Sequence, residues 1–184
     1  MKQSILFVAA LVSLLVGCAG DYLAGGGSDS PYYPPPVGSS VVLKRPLTVP
    51  AGETRIFLQG GEMMEKSRFD RYKPSCSFEL RELAEAPRTI APDSFIVTRV
   101  EHLTQEIVQR FGPRRGLLRS GLDYDSSPPF VVRGYHLWLG SERQLDVMRM
   151  TCRGAFADLP EAYPPSLGEV SRALGDYAEL ILRI

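Results

Sequence analysis

The chain has 184 residues, and its 21 lysines and arginines balance 21 aspartates and glutamates. A domain of this size buries about two thirds of the surface that its unfolded chain exposes, so its core needs no metal. The balanced charge excludes the strong positive field with which many proteins attract nucleic acids, and we expect no nucleic-acid partner.

The N-terminus has the composition of a secretory signal. Lys2 precedes the apolar run Ile5–Val16, which is shorter than the roughly 20 residues that span a bilayer. This segment ends in a Leu-Val-Gly-Cys sequence at Cys18, which resembles the lipobox of bacterial lipoproteins. The resemblance implies a signal peptide at 1–17, cleavage before Cys18 and diacylation of its thiol.

The residue after the lipidated cysteine bears on the destination of the chain. In enteric-type lipoproteins an aspartate there marks retention in the inner membrane, whereas this chain has Ala19. The resemblance therefore implies a protein of the cell envelope, anchored through Cys18 to the periplasmic face of the outer membrane.

Residues 18–38 predict a lipidated tether. Three glycines at 25–27 and three prolines at 34–36 favour extended, unpacked chain. Tyr32 and Tyr33 beside the prolines are part of a spacer or, alternatively, of a docking motif. We expect residues 39–184 to form a single β-rich domain, which the lipobox resemblance places in the periplasm.

From residue 41 onward, alternating apolar and polar residues predict mainly strands. The expected strands are Val41–Val49, Thr54–Gln59, Pro74–Leu83, Phe95–Val100, Phe130–Leu139, Leu145–Cys152 and Tyr177–Ile184. Pro46 makes the first of them an edge strand or two short pieces. The strand from 130 to 139 is apolar on both faces, which places it inside the sheet, and it forms a hairpin with the strand that follows.

Two further segments refine the fold class. Apolar residues at 100, 103, 107 and 111 predict an amphipathic helix over 101–111, although a hairpin is equally compatible. Ser166 and Glu169 form a capping box for a short helix that ends at Gly175. We therefore expect a mainly β fold, a small sandwich or barrel of six to eight short strands with one short C-terminal helix. The alternative is an α+β fold with a second helix near 101–111.

Cys76 and Cys152 remain after Cys18 is assigned to lipid, and both lie on apolar faces of predicted strands. Because the periplasm is oxidising, they predict a disulfide between neighbours across the core. A bridge over 76 residues is worth up to about 4.5 kcal/mol in the chain-entropy model. Two buried free thiols are the alternative.

The sequence lacks common catalytic and metal-binding motifs. It has no Gly-x-Ser-x-Gly nucleophile elbow, and His102 and His136 lack the spacing of zinc ligands. The segment 123–127 begins like a calcium loop, but Pro128 and Gly134 replace its required glycine and glutamate. We expect a protein that is not an enzyme, with no catalytic residues, metal or cofactor.

Two loops carry clustered cations. The segment 112–129 holds Arg114, Arg115 and Arg119 and exceeds the usual length of a plain connection. Guanidinium groups grip carboxylates and phosphates, so these arginines are the candidate contact for an anionic envelope polymer or protein, unless the loop is only solvated. The segment 61–75 interleaves cations with aromatic residues and predicts either a recognition loop or a charged connection.

These observations favour a non-enzymatic binding or assembly module of the envelope. The alternative is a periplasmic carrier of an apolar small ligand, suggested by Tyr135, Trp138, Met148 and Met150 in one hairpin. An envelope hydrolase is a further alternative, which would require a histidine, a carboxylate and a nucleophile in one cleft.

Overall fold

The structure is a computed structural model that describes residues 30–107 and 130–183. Its strands within these ranges are β1 (Ser40–Leu43), β2 (Leu47–Val49), β3 (Arg55–Gln59), β4 (Glu62–Met64), β5 (Ser75–Leu80), β6 (Arg88–Ile90), β7 (Asp93–Ile107), β8 (Phe130–Gly140), β9 (Val147–Arg153), β10 (Ala157–Asp158) and β11 (Ala178–Ile181). A 3₁₀ turn at Leu159–Glu161 and the helix α1 (Leu167–Leu174) precede β11.

Most of the strands form one antiparallel sheet that curls into a half-barrel. Its order is β11-β1-β7-β8-β9-β5-β3-β4, with β10 beside β8, while β2 and β6 form a separate pair. The expected mainly β fold with one C-terminal helix is confirmed. Two strands are longer than expected, since β7 has 15 residues and β8 has 11.

The long pairing of β7 with β8 decides the conformation of the ambiguous segment at 101–111. Residues 101–107 continue β7 and pair with β8 as far as Ile107 and Phe130. The helix alternative is therefore wrong for 101–107, and 108–111 lie outside the described residues. The four apolar residues have the spacing of a helix, but the segment forms a strand because its backbone hydrogen bonds are satisfied by the neighbouring strand β8.

The core lies on one face of the sheet and includes residues from β2, β6 and α1. Pro46 separates β1 from β2, which pair in different sheets, so the expectation of two short pieces is confirmed. The expected hairpin of β8 and β9, and the position of β8 inside the sheet, are also confirmed.

Helix α1 begins and ends as its sequence predicts. The amide of Glu169 donates to the Ser166 hydroxyl, and the Glu169 carboxylate accepts from the amide of Ser166, which together make a capping box. Gly175 ends the helix with a positive φ of 53°. A Cβ on Gly175 would lie 2.4 Å from the Cα of Gly61, so the helix end packs directly on the β3–β4 turn.

The expected Cys76–Cys152 disulfide is present. The two cysteines are directly opposite on the adjacent strands β5 and β9, with their Cα atoms 4.0 Å apart. They are thus neighbours within the sheet, not across the core as expected, because β5 pairs with β9 although the two are far apart in sequence. The bridge fixes the register of this pair of strands.

Asp93 anchors the turn between β8 and β9. Its carboxylate accepts hydrogen bonds from Ser141 (2.7 Å), Gln144 (3.1 Å) and Arg143. Burial raises the pKa of Asp93, but these hydrogen bonds outweigh burial and lower the pKa to about 2. The start of β7 and the β8–β9 turn are therefore held together by one ionised carboxylate.

The last part of the expected tether lies against the domain. The Tyr135 hydroxyl donates to the carbonyl of Pro31, and the ring of Tyr32 meets that of Tyr163 edge-on at 5.8 Å. The amide of Gly38 donates to the carbonyl of Val97 at 2.8 Å. Residues 31–38 of the expected tether therefore contact the domain, and 18–29 lie outside the described residues.

The disulfide generates a stability prediction. The double variant Cys76→Ala/Cys152→Ala should lose about 4 kcal/mol of unfolding free energy, because its unfolded chain regains the entropy that a 76-residue loop removes. Urea denaturation of the oxidised protein and the variant measures this difference. A loss below about 1 kcal/mol, or complete thiol labelling of the denatured but unreduced protein, contradicts the prediction.

Candidate functional site

The sheet face opposite the core carries ordered rows of charged and aromatic side chains, which we call the polar face. Its first row crosses five strands in register through Arg55, Glu79, Arg149, Trp138 and Arg99. The neighbouring row contains Phe57, Ser77, Thr151, His136 and Glu101. Because side chains alternate between the faces of a strand, these residues stand between the apolar residues that fill the core.

Strand β5 explains why this face is covered as well as charged. Cys76, Phe78 and Leu80 enter the core, while Ser75, Ser77 and Glu79 point to the polar face, and all six are buried. Ser77 stands between Phe57 of β3 and Thr151 of β9, and Ser75 stands opposite Arg153 of β9. The polar face is therefore packed along β5, whereas Arg55 and Arg99 at the two ends of its first row are about half-exposed.

Glu79 is the ionic centre of the first row. It accepts a hydrogen bond from Arg55 at 2.7 Å and another from Arg149 at 2.5 Å. Burial raises the pKa of Glu79, but the hydrogen bonds and charges of the two arginines lower it below its ordinary value overall. One carboxylate therefore holds three strands together through two guanidinium groups.

Trp138 continues the row toward β7. Its indole nitrogen donates to Glu101 at 2.8 Å, and Arg99 lies 4.2 Å from the centre of its ring system. Arg99 also pairs with Glu101 at 3.2 Å, and Arg149 lies 5.4 Å from the indole on the other strand. The guanidinium groups of Arg99 and Arg149 thus lie near the electron-rich ring system of Trp138, which is a favourable cation–π arrangement.

His136 contacts Thr151 but forms no catalytic triad among the described residues. The His136 Nδ1 and Thr151 Oγ1 atoms are 2.8 Å apart. Burial and the charge of Arg149 lower the pKa of His136, against the opposing charge of Glu101. Glu101 itself bonds to other partners, so no described carboxylate orients this imidazole.

The second histidine lies elsewhere. His102 pairs with Tyr135 in the register of β7 and β8, and their rings are 5.4 Å apart. It therefore does not meet His136 on the polar face. In the described ranges no group of three or more histidine, cysteine, aspartate or glutamate side chains is arranged to hold a metal ion.

Arg153 and the loop 65–74 form the end of the polar face near β3. The Arg153 guanidinium lies 5.1 Å from the ring of Phe69 and 5.9 Å from that of Phe57. The buried amide of Gln59 holds the loop, since it donates to the carbonyl of Asp70 at 2.7 Å and accepts from the Asp70 amide at 3.1 Å. The segment 61–75 is therefore folded against the sheet and presents Phe69 to Arg153.

The other expected site residues are distributed as follows. The disulfide of Cys76 and Cys152 lies on the core face, beneath the polar face. Cys18 and the cluster of Arg114, Arg115 and Arg119 lie outside the described residues. No helix within 30–107 and 130–183 is long and apolar enough to cross a bilayer.

The structure does not group the residues that suggested an apolar carrier. Tyr135 and Met150 are buried in the core, whereas Trp138 lies on the polar face. Two open grooves of about 380 and 420 Å³ run beside α1 and share Pro74, Glu169 and Arg172. Their linings mix apolar residues with both signs of charge.

Sequence reasoning missed the polar face. The signal for it was the polar half of the strand alternation, at 75, 77 and 79 in β5 and at 149, 151 and 153 in β9. Aligning these two strands by their cysteines would have placed Glu79 opposite Arg149. Comparison with protein families, curated proteins and solved structures gives no match for this chain.

The geometry of Glu79 generates a prediction about stability and pH. Glu79→Gln should lower the unfolding free energy by about 2–3 kcal/mol at neutral pH, because it leaves two arginines without their shared anion. The folded pKa is lowered, so this contribution is present above the ordinary pKa of 4.5 and declines as pH falls below that value. Denaturation of both proteins across this pH range measures the difference.

Glu179→Gln is the matched control for that experiment. Glu179 pairs with Lys44 at 2.7 Å, but both side chains are half-exposed, so the change should cost less than about 1 kcal/mol. Equal losses in the two variants, or a Glu79→Gln effect independent of pH, would show that Glu79 is not the ionic centre of the row.

Proposed function

We propose that the protein is an outer-membrane-anchored periplasmic lipoprotein that acts as a non-enzymatic binding or assembly module of the envelope. The observation that carries the binding role is the polar face, in which arginines are held in register by glutamates and aromatic rings. Such preorganised side chains lose little conformational entropy on binding, which favours a recognition surface.

The proposed location rests on the lipobox resemblance at Cys18 and is supported by the disulfide. Structural disulfides form and persist in oxidising compartments such as the bacterial periplasm. Cys76 and Cys152 pair with each other, which leaves Cys18 for the lipid. The two features assign a separate role to each of the three cysteines.

The non-enzymatic role is supported by how the ionisable groups of the polar face are engaged. Glu79 is shared by two arginines, and Glu101 is shared by Trp138 and Arg99. A carboxylate such as Glu79, whose pKa is lowered and which accepts from permanent cations, is a poor proton carrier near neutral pH. These groups instead fix the positions of the guanidinium groups.

The proposed partner is an anionic component of the envelope, either a polymer or a protein. Strands β7 and β8 carry Arg99, Glu101 and Trp138, and the segment 108–129 connects these two strands in the sequence. Arg114, Arg115 and Arg119 therefore lie in the sequence between the two strands that carry this part of the polar face. We assign them to the contact with the same partner.

The lipid anchor is tested by Cys18→Ala. The variant should stay unprocessed and lose the membrane affinity that acyl chains supply, about 0.8 kcal/mol for each buried methylene. Detergent phase partitioning and the size of the processed chain measure both effects. Ala19→Asp is the matched control, since it keeps the cysteine and should still be cut and partition into detergent. Identical partitioning of Cys18→Ala and wild type rejects the lipobox.

The contact is tested by replacing Arg114, Arg115 and Arg119 together with glutamine. Co-sedimentation with isolated envelopes should weaken, most strongly at low salt, because screening already suppresses charge attraction at high salt. The fold should persist, which circular dichroism checks.

A second triple variant controls for the loss of net charge. Lys44 and Arg45 are exposed cations that follow β1, and Arg172 is an exposed cation on α1. Their replacement by glutamine should leave envelope binding nearly unchanged. If both triple variants bind envelopes as well as wild type, or if both lose the same amount of binding, the arginine cluster is not part of the proposed contact.

A further inference from the structure

Arg153 differs from the other arginines of the polar face. Arg55 and Arg149 share Glu79, and Arg99 pairs with Glu101. Arg153 is half-buried, yet it has no ion pair and no side-chain hydrogen bond to any residue that the structure describes. Its contacts are the rings of Phe57 and Phe69. A partly desolvated cation without an anion is unfavourable, so the position is set up to receive one.

A second guanidinium lies beside it. Arg55 precedes Phe57 by two residues on the same face of β3, and Phe57 is one of the rings that contact Arg153. Burial lowers the pKa of Arg153, and the positive charge of Arg55 lowers it further, as expected for neighbouring cations. Arg55, bound to Glu79, and Arg153 therefore both lie near Phe57 at the β3 end of the polar face.

The charge count at this end specifies the ligand. Arg55, Arg149 and Arg153 contribute three positive charges and Glu79 one negative charge, which leaves a local excess of two. A single carboxylate would neutralise half of that excess. A phosphate group carries about −1.5 to −2 near neutral pH and offers three acceptor oxygens. Planar guanidinium groups bind such oxygens in pairs.

We propose that Arg153 and Arg55 form a phosphate-binding site on the polar face. Phe57 and Phe69 hold the Arg153 guanidinium in place, and Gln59 fixes the loop that carries Phe69. The site is therefore preorganised before the ligand arrives, which lowers the entropic cost of binding. The ligand is a free phosphate or a phosphate monoester on a lipid headgroup, since both present three acceptor oxygens and more than one negative charge to the arginines.

This inference deepens the proposed role of the polar face and rests on it. Phosphate binding is measured on purified, full-length processed protein in detergent, whereas the envelope role is measured by co-sedimentation. If the protein binds phosphate but not envelopes, the phosphate site stands and the proposed function is rejected. If it binds envelopes but not phosphate, the proposed function stands and the phosphate site is rejected.

The experiment is calorimetric titration with inorganic phosphate, with sodium chloride at matched ionic strength as the blank. Arg153→Gln should weaken the affinity about tenfold or more, the effect of losing a charged hydrogen-bonding partner. Arg45→Gln is the matched control, because Arg45 also stacks on an aromatic ring, 4.3 Å from Tyr177, and has no carboxylate partner among the described residues. Its affinity for phosphate should equal that of wild type.

A second variant and a second ligand complete the test. Arg153→Lys keeps the charge and should bind phosphate with intermediate affinity, which covers the case in which Arg153→Gln fails to fold. Glycerol 3-phosphate is the second ligand: tighter binding of this monoester assigns the site to a headgroup phosphate, and tighter binding of inorganic phosphate assigns it to free phosphate. No heat beyond the chloride blank in wild type, or equal affinity in wild type and both Arg153 variants, overturns the proposal.

Discussion

The register between β5 and β9 is the constraint on which both faces of the sheet depend. With Cys76 opposite Cys152 on the core face, Glu79 stands next to Arg149 on the polar face. A slip of one residue would exchange the two faces, burying serines and an acid in the core and exposing phenylalanine and leucine. The disulfide excludes such a slip covalently, so the bond on one face protects the ion pairs on the other.

A bulge in β7 is the second feature that aligns the side chains of the polar face. The register with β8 shifts between Val97 and Arg99, and this one-residue shift exchanges the faces along the strand. Before it, Phe95 and Val97 enter the core; beyond it, Arg99 and Glu101 join Trp138 on the polar face. Without the bulge, Thr98 would stand opposite Trp138 and Arg99 would face the core. Two local features, a bridge and a bulge, therefore align side chains from five strands.

The parts of this arrangement that are local in sequence could be predicted. The capping box at Ser166, the break at Pro46 and the β8–β9 hairpin depend on neighbours within a few residues. The disulfide followed from the small number of cysteines. The bulge in β7 could not be predicted, because it depends on contacts between distant segments. The pairing of β5 with β9 follows only if Cys76 and Cys152 are taken as neighbours within one sheet and not across the core. Periodicity alone also left 101–107 undecided, since a helix and a long strand both bury its apolar residues.

The need for the β5–β9 register links the polar face to the periplasm, the compartment in which the proposed function places the protein. The polar face is assembled from ion pairs whose alignment requires the β5–β9 register, and the covalent lock on that register forms only where thiols are oxidised. In a reducing cytoplasm the chain would hold Glu79 and its arginines together by packing and charge alone, with about 4 kcal/mol less resistance to unfolding. Under the proposed function, the chain is therefore exported before its disulfide forms and the polar face reaches full stability. It then acquires its lipid anchor and its rigid contact surface in the same compartment.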